Sequence, residues 1–101
     1  MNIKEQFGNF IKKDHLSGGK TLLLTIATVS MEDVGEDEKP VMYFNDHDKA
    51  LPLNKTNADI IAESYGEETN AWEGKKIEIF LDPTVKYQGK KVGGVAVRIP
   101  S

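Results

Sequence analysis

The chain has 101 residues, 39% of them hydrophobic and 29% charged, with a formal net charge of −3. That is the size and composition of one globular domain, which buries about two thirds of the surface its unfolded chain exposes. Cysteine is absent, which excludes a disulfide framework, a thiolate zinc site and a cysteine nucleophile.

Residues 1–13 carry Ile3, Phe7, Phe10 and Ile11 at helix-like spacing, so residues 1–17 are expected to form an N-terminal helix or arm. The same stretch mixes Lys4, Glu5, Lys12, Lys13 and Asp14 with isolated apolar residues and lacks the apolar core of a signal peptide. Apolar runs such as Leu22-Leu23-Leu24 are far too short to cross a bilayer. An intracellular protein with no membrane partner is expected.

After the Gly18-Gly19 break, Thr21 to Met31 reads as a long strand. Leu22, Leu24 and Ile26 alternate onto one face, and Ala27, Val29 and Met31 continue on the other parity. A one-residue slip of this kind is what a β-bulge produces. Glu32 to Lys39 is acidic around Gly35 and predicts a solvated hairpin loop. A second strand runs from Pro40 to Phe44, a turn follows at Asn45-Asp46-His47-Asp48, and a third strand spans Lys49 to Leu53, at an edge because of Pro52.

Thr56-Asn57-Ala58-Asp59 has capping-box logic, and Ala58, Ile61, Ala62 and Tyr65 then share one helical face up to the stop at Gly66. A short helical turn is expected over Thr69 to Trp72. Lys75 to Leu81 alternates as a fourth strand, Val85 to Val92 turns at Gln88-Gly89, and Val95, Val97 and Ile99 mark the last strand. A bulged first strand in a β-β-β-α-β-β order predicts a mainly β, OB-type five-stranded barrel spanning residues 1–101. An SH3-like barrel and an open α+β sheet are the competing architectures.

Charge is polarised along the chain. Residues 1–70 carry 7 basic and 13 acidic side chains, and residues 71–101 carry 6 basic and 3 acidic ones. Lys75, Lys76, Lys86, Tyr87, Lys90, Lys91 and Arg98 therefore combine positive charge with an aromatic ring on adjacent predicted strands. Binders of single strands need that combination, cations for phosphates and π-faces for bases. The plainer explanation is that lysines cover solvent faces and blunt an edge.

Phe80 lies opposite in parity to Ile77, Ile79 and Leu81 and should point outward; of Tyr43 and Phe44, one must also do so. Trp72 falls near the fourth strand, where it either covers the end of the core or meets a ligand. Lys55 at the helix start is a phosphate candidate beside the free N–H groups, against a simple capped helix with a solvated lysine. Asp46-His47-Asp48 reads as a turn rather than a metal site, because consecutive turn residues rarely converge on one ion. No nucleophile–base pair and no phosphate-binding glycine loop is present. Neither an enzyme nor a cofactor is expected.

The segments Leu53-Asn54-Lys55-Thr56-Asn57, Tyr65-Gly66 and Trp72-Glu73-Gly74-Lys75-Lys76-Ile77 resemble small bacteriophage and prophage proteins. Some of these are similar to OB-fold single-stranded DNA-binding or replication-accessory proteins. The resemblance spans about residues 18–100. It implies a protein of the bacterial cytoplasm that binds single-stranded DNA beside replication or recombination proteins. A module that docks on such a protein without touching nucleic acid is the alternative, and the acidic half of the chain favours it.

Overall fold

A computed structural model describes residues 10–87, 89–91 and 93–100, the side chains of Tyr87 and Lys91 excepted. Most of the expected N-terminal helix or arm lies outside the described residues. A 3-10 helix at Lys13–Gly19 leads into the sheet and buries Leu16.

The first strand, β1, is Leu22–Val34. Its register against β2 (Asp37–Phe44) shifts between Ile26 and Thr28, at the residue where the apolar alternation changes phase. The bulge lets one strand serve two partners. Leu22 to Thr25 pair with β4 (Lys76–Asp82), and Ile26 onward pairs with β2. Backbone at the bend stays satisfied: Ile26 N–H donates to the Lys75 carbonyl at 2.8 Å, and Gly74 N–H donates to the Ile26 carbonyl at 2.9 Å.

The acidic segment is not a loop. The β1–β2 ladder continues to Val34 opposite Asp37, so Gly35 and Glu36 alone make the turn. Gly35 has a φ of +64°, as tight hairpin turns require. Glu32 faces Lys39 in the register, an opposite-charge pair that supports the ladder. This hairpin overhangs the core, which leaves Met31 59% exposed despite its predicted inward parity.

The third strand shrinks to β3, Leu51–Pro52, at one edge of the sheet, where proline is tolerated. Beside it Phe10 bridges Ala50, and Ile11 N–H donates to the Ala50 carbonyl at 2.8 Å. Helix α1 is Lys55–Tyr65. Its cap is Asn54, earlier than the predicted Thr56: the Asn54 side-chain oxygen accepts from Asn57 N–H at 2.7 Å. Ile61 is fully buried, and Ala58, Ala62 and Tyr65 pack on the core, the face that the spacing predicts. Gly66 ends the helix at φ +97°, its N–H donating to the Ala62 carbonyl.

After the predicted 3-10 turn at Thr69–Trp72, β4 sends Ile77 and Ile79 into the core. A small separate ladder follows, β5 (Lys86–Tyr87) with β6 (Lys90–Lys91), and then β7 (Gly94–Arg98), antiparallel to β4. The main sheet is antiparallel, five-stranded and ordered β3-β2-β1-β4-β7. The mainly β class and the helix between the third and fourth strands are as predicted. The closed barrel is not found, because β3 and β7 remain the two edges.

A single side chain explains what occupies the β7 edge. Asn57, the buried polar residue of α1, donates from Nδ2 to the Val95 carbonyl at 3.2 Å and accepts from Val97 N–H at 3.3 Å. Its carboxamide takes the donor and acceptor that β7 would otherwise offer to another strand. Among the described residues, every buried side-chain N or O atom has a partner, and no helix is long and apolar enough to cross a membrane.

Candidate nucleic-acid interface

The connection from β4 to β7 is built from a turn outward. Asp82 Oδ1 accepts from the Thr84 hydroxyl at 2.6 Å and from Thr84 N–H at 2.8 Å. These bonds hold the Asp82 carboxyl below the usual carboxylate range. Gly93 N–H then donates to the Val85 carbonyl at 3.1 Å and closes the base of the hairpin. At Gly94 a Cβ would lie 3.0 Å from Val85 Cγ1, so a side chain there would make exposed Val85 give by a few tenths of an ångström.

Beyond this base, Lys86 is the register partner of Lys91, and Tyr87 that of Lys90. Gln88, expected at the tip, lies outside the described residues.

The outward side of β4 and β7 continues from this hairpin. Arg98 stands opposite Glu78 in the register and pairs with it through Nε. Its guanidinium lies over the Phe80 ring, 4.6 Å from the centroid. Phe80 thus faces outward, as its parity predicts. Next to it is a depression of about 270 Å³ lined by Gly19, Lys20, Thr21, Phe80, Leu81, Pro83 and Arg98. Further along β4, Lys76 Nζ donates to Thr25 Oγ1 at 3.0 Å. Thr25 in turn donates to Asp46 from its N–H at 2.8 Å and from its hydroxyl at 3.1 Å. The backbone bond is the main reason that the Asp46 carboxyl sits below its ordinary range, and nearby Lys76 adds to it.

Three predicted residues fall elsewhere. Trp72 is 3% exposed and its Nε1 donates to the Gly66 carbonyl at 2.8 Å, so it covers the core and presents no stacking face. Lys55 pairs with Asp59 at 3.0 Å one turn along the helix, and the Asn54 cap already uses one of the free N–H groups beside it. Tyr43 does point outward, but its hydroxyl donates to Glu32, whose charge would repel a phosphate. That bond pushes the Tyr43 phenol up to about 12. The structure brings Phe80 and Arg98 together on the outward face of β4 and β7, with Lys76 on the same face at the far end of β4; Lys86, Tyr87, Lys90 and Lys91 lie on the β5–β6 hairpin in the connection between those strands.

Sequence reasoning missed Gly19, read only as part of a break, Lys20, Thr21, read only as the start of a strand, and Glu78, whose role depends on the β4–β7 register. Asp46 and His47 have structural partners: Asp46 holds Thr25, and His47 Nδ1 accepts from Lys49 N–H at 3.0 Å. Among the described residues no group of three or more metal-ligating side chains converges. No protein-family model, no curated protein and no solved structure matches this chain.

Proposed function

We propose that this chain binds single-stranded nucleic acid, with single-stranded DNA as the first candidate, along the outward side of β4 and β7. The observation that carries the proposal is the outward face of β4 and β7, where Lys76 and the Phe80–Arg98 pair share one side and the β5–β6 hairpin with its lysines lies in the connection between the two strands. A basic connection suits a polyanion, and an aromatic side chain on the neighbouring outward face suits unstacked bases. From Lys76 to the hairpin base β4 rises roughly 20 Å, enough to track several nucleotides.

An OB-type barrel, open between its third and last strands, is part of the same proposal. Supporting it are the bent β1 shared between two partners, the helix between the third and fourth strands, and the order β3-β2-β1-β4-β7. The connection that carries the lysines then corresponds to a loop that OB-folds use for oligonucleotides. Action in the bacterial cytoplasm beside phage replication or recombination proteins, as a binding module rather than an enzyme, completes the reading.

The test is fluorescence anisotropy of a labelled dT oligonucleotide at two salt concentrations. With three or four phosphate contacts, the slope of log K against log salt is about −2 to −3, a loss of about 20- to 50-fold between 50 and 200 mM. A variant carrying Lys86→Glu, Lys90→Glu and Lys91→Glu should lose this binding. Unchanged affinity in that variant refutes the assigned surface.

One observation favours a second reading. The β1–β2 hairpin presents Glu32, Asp33, Glu36, Asp37 and Glu38 around exposed Met31, which suits a basic protein partner better than a nucleic acid. A flat titration at low salt would make protein docking the working function.

A further inference from the structure

We propose that the depression beside Phe80 and Arg98 seats one unpaired nucleobase, with the Arg98 guanidinium as its stacking surface. The inference rests on the single-strand reading above and sharpens it. A guanidinium plane is a surface on which splayed bases stack, as aromatic rings are. Here the plane is prepared in advance. The Phe80 ring backs it at 4.6 Å, and Glu78 holds Nε from the facing register position. An arginine fixed this way has already lost much of the freedom that binding would otherwise remove. Yet 54% of the Arg98 side chain stays exposed, so it is held without being covered.

Size and charge narrow the ligand. At about 270 Å³ the depression falls just under the range of small-molecule and cofactor sites, which starts near 300 Å³. A single base is the appropriate occupant. Glu78 neutralises Arg98, so the platform favours a neutral π-face over a phosphate. Lys20, exposed and lining the same depression, supplies the cation for the adjoining phosphate. Base contact and phosphate contact are therefore divided between different residues, and the two can be measured apart.

The experiment compares a dT oligonucleotide with an abasic deoxyribose-phosphate oligomer of equal length. The proteins are the parent, Arg98→Ala and Arg98→Lys; the lysine variant keeps the charge and loses the plane. The parent should bind dT about 5- to 100-fold more tightly than the abasic strand. Both variants should lose most of that preference, while Arg98→Lys, which keeps the charge beside Glu78, should keep the parent's salt dependence with the abasic strand. Equal binding of dT and abasic strands by the parent would overturn the base seat and leave the strand-binding reading standing. A preference that survives in Arg98→Lys would also overturn it. If the parent bound neither strand at low salt, both readings would fall together.

Discussion

In an Asn57→Ala chain, the Val95 carbonyl and the Val97 N–H lose the carboxamide that satisfies them at 3.2 and 3.3 Å. Leaving a buried polar group unpaired costs about 1–3 kcal/mol. Val97 is 2% exposed and carries most of that cost, whereas Val95 is half-buried and can recruit water, which puts it near the lower end. The sum is about 2–4 kcal/mol, and the better helix propensity of alanine returns about 0.5 kcal/mol. A net loss of about 2–3 kcal/mol is a large share of the stability of a domain this small, and should lower Tm by about 10–20 °C. Thermal and urea unfolding of the parent and of N57A measure it. N57D supplies a sharper comparison, since a carboxylate can still accept from Val97 N–H but sets a second oxygen against the Val95 carbonyl. It should be at least as unstable as N57A near neutral pH and recover when the carboxylate protonates. An N57A protein within about 0.5 kcal/mol of the parent, the usual range for surface changes, would refute the idea that this amide replaces a strand on the β7 edge.

Gly94→Ala should shift the exposed Val85 side chain by a few tenths of an ångström at a cost of about 0.5 kcal/mol or less; urea unfolding should place its midpoint close to the parent's. Asp46 has a folded value below its ordinary 3.8, so its contribution is complete above that pH and is lost as the pH falls through the lower folded value. Acid unfolding followed by circular dichroism should show Asp46→Asn less stable than the parent at neutral pH, with the gap closing below pH 3.8. The phenol of Tyr43 is raised from 10.0 to about 12, so its contribution holds below pH 10 and is lost as the pH climbs towards 12. Phenolate absorbance should show one late-titrating tyrosine that is missing in Tyr43→Phe and returns to the ordinary range in Glu32→Gln.

The elements with a strong periodic signal were legible in the sequence. The phase slip at Ala27 does mark the bulge, the Ala58, Ile61, Ala62 and Tyr65 face does pack on the core, and Phe80 does point outward. What escaped depends on register and on long-range bonds. Nothing local in Thr56-Asn57 says that Asn57 will reach a strand some forty positions away, so a cap was the natural inference. The acidic run looked like a loop because composition cannot show Glu32 opposite Lys39. Four residues of the segments that were expected to carry a resemblance are fasteners. Asn54 caps the helix, Asn57 bolts it to β7, Tyr65 donates to the Lys76 carbonyl at 2.6 Å and Trp72 bonds to Gly66. Those residues specify the fold, and the candidate interface is made of others.

The two hairpins leave β1 at opposite ends: the acidic turn follows its last residue, while the lysine-bearing connection follows the end of β4 that lies beside its first. The molecule therefore carries a charge dipole along its longest strand, superimposed on a net charge of −3. In the field of a polyanion the net charge slows approach, but the dipole exerts a torque that turns the lysines forward and the acidic tip away. For the proposed strand binding, orientation is thus selected before contact, and salt weakens that selection over about a Debye length.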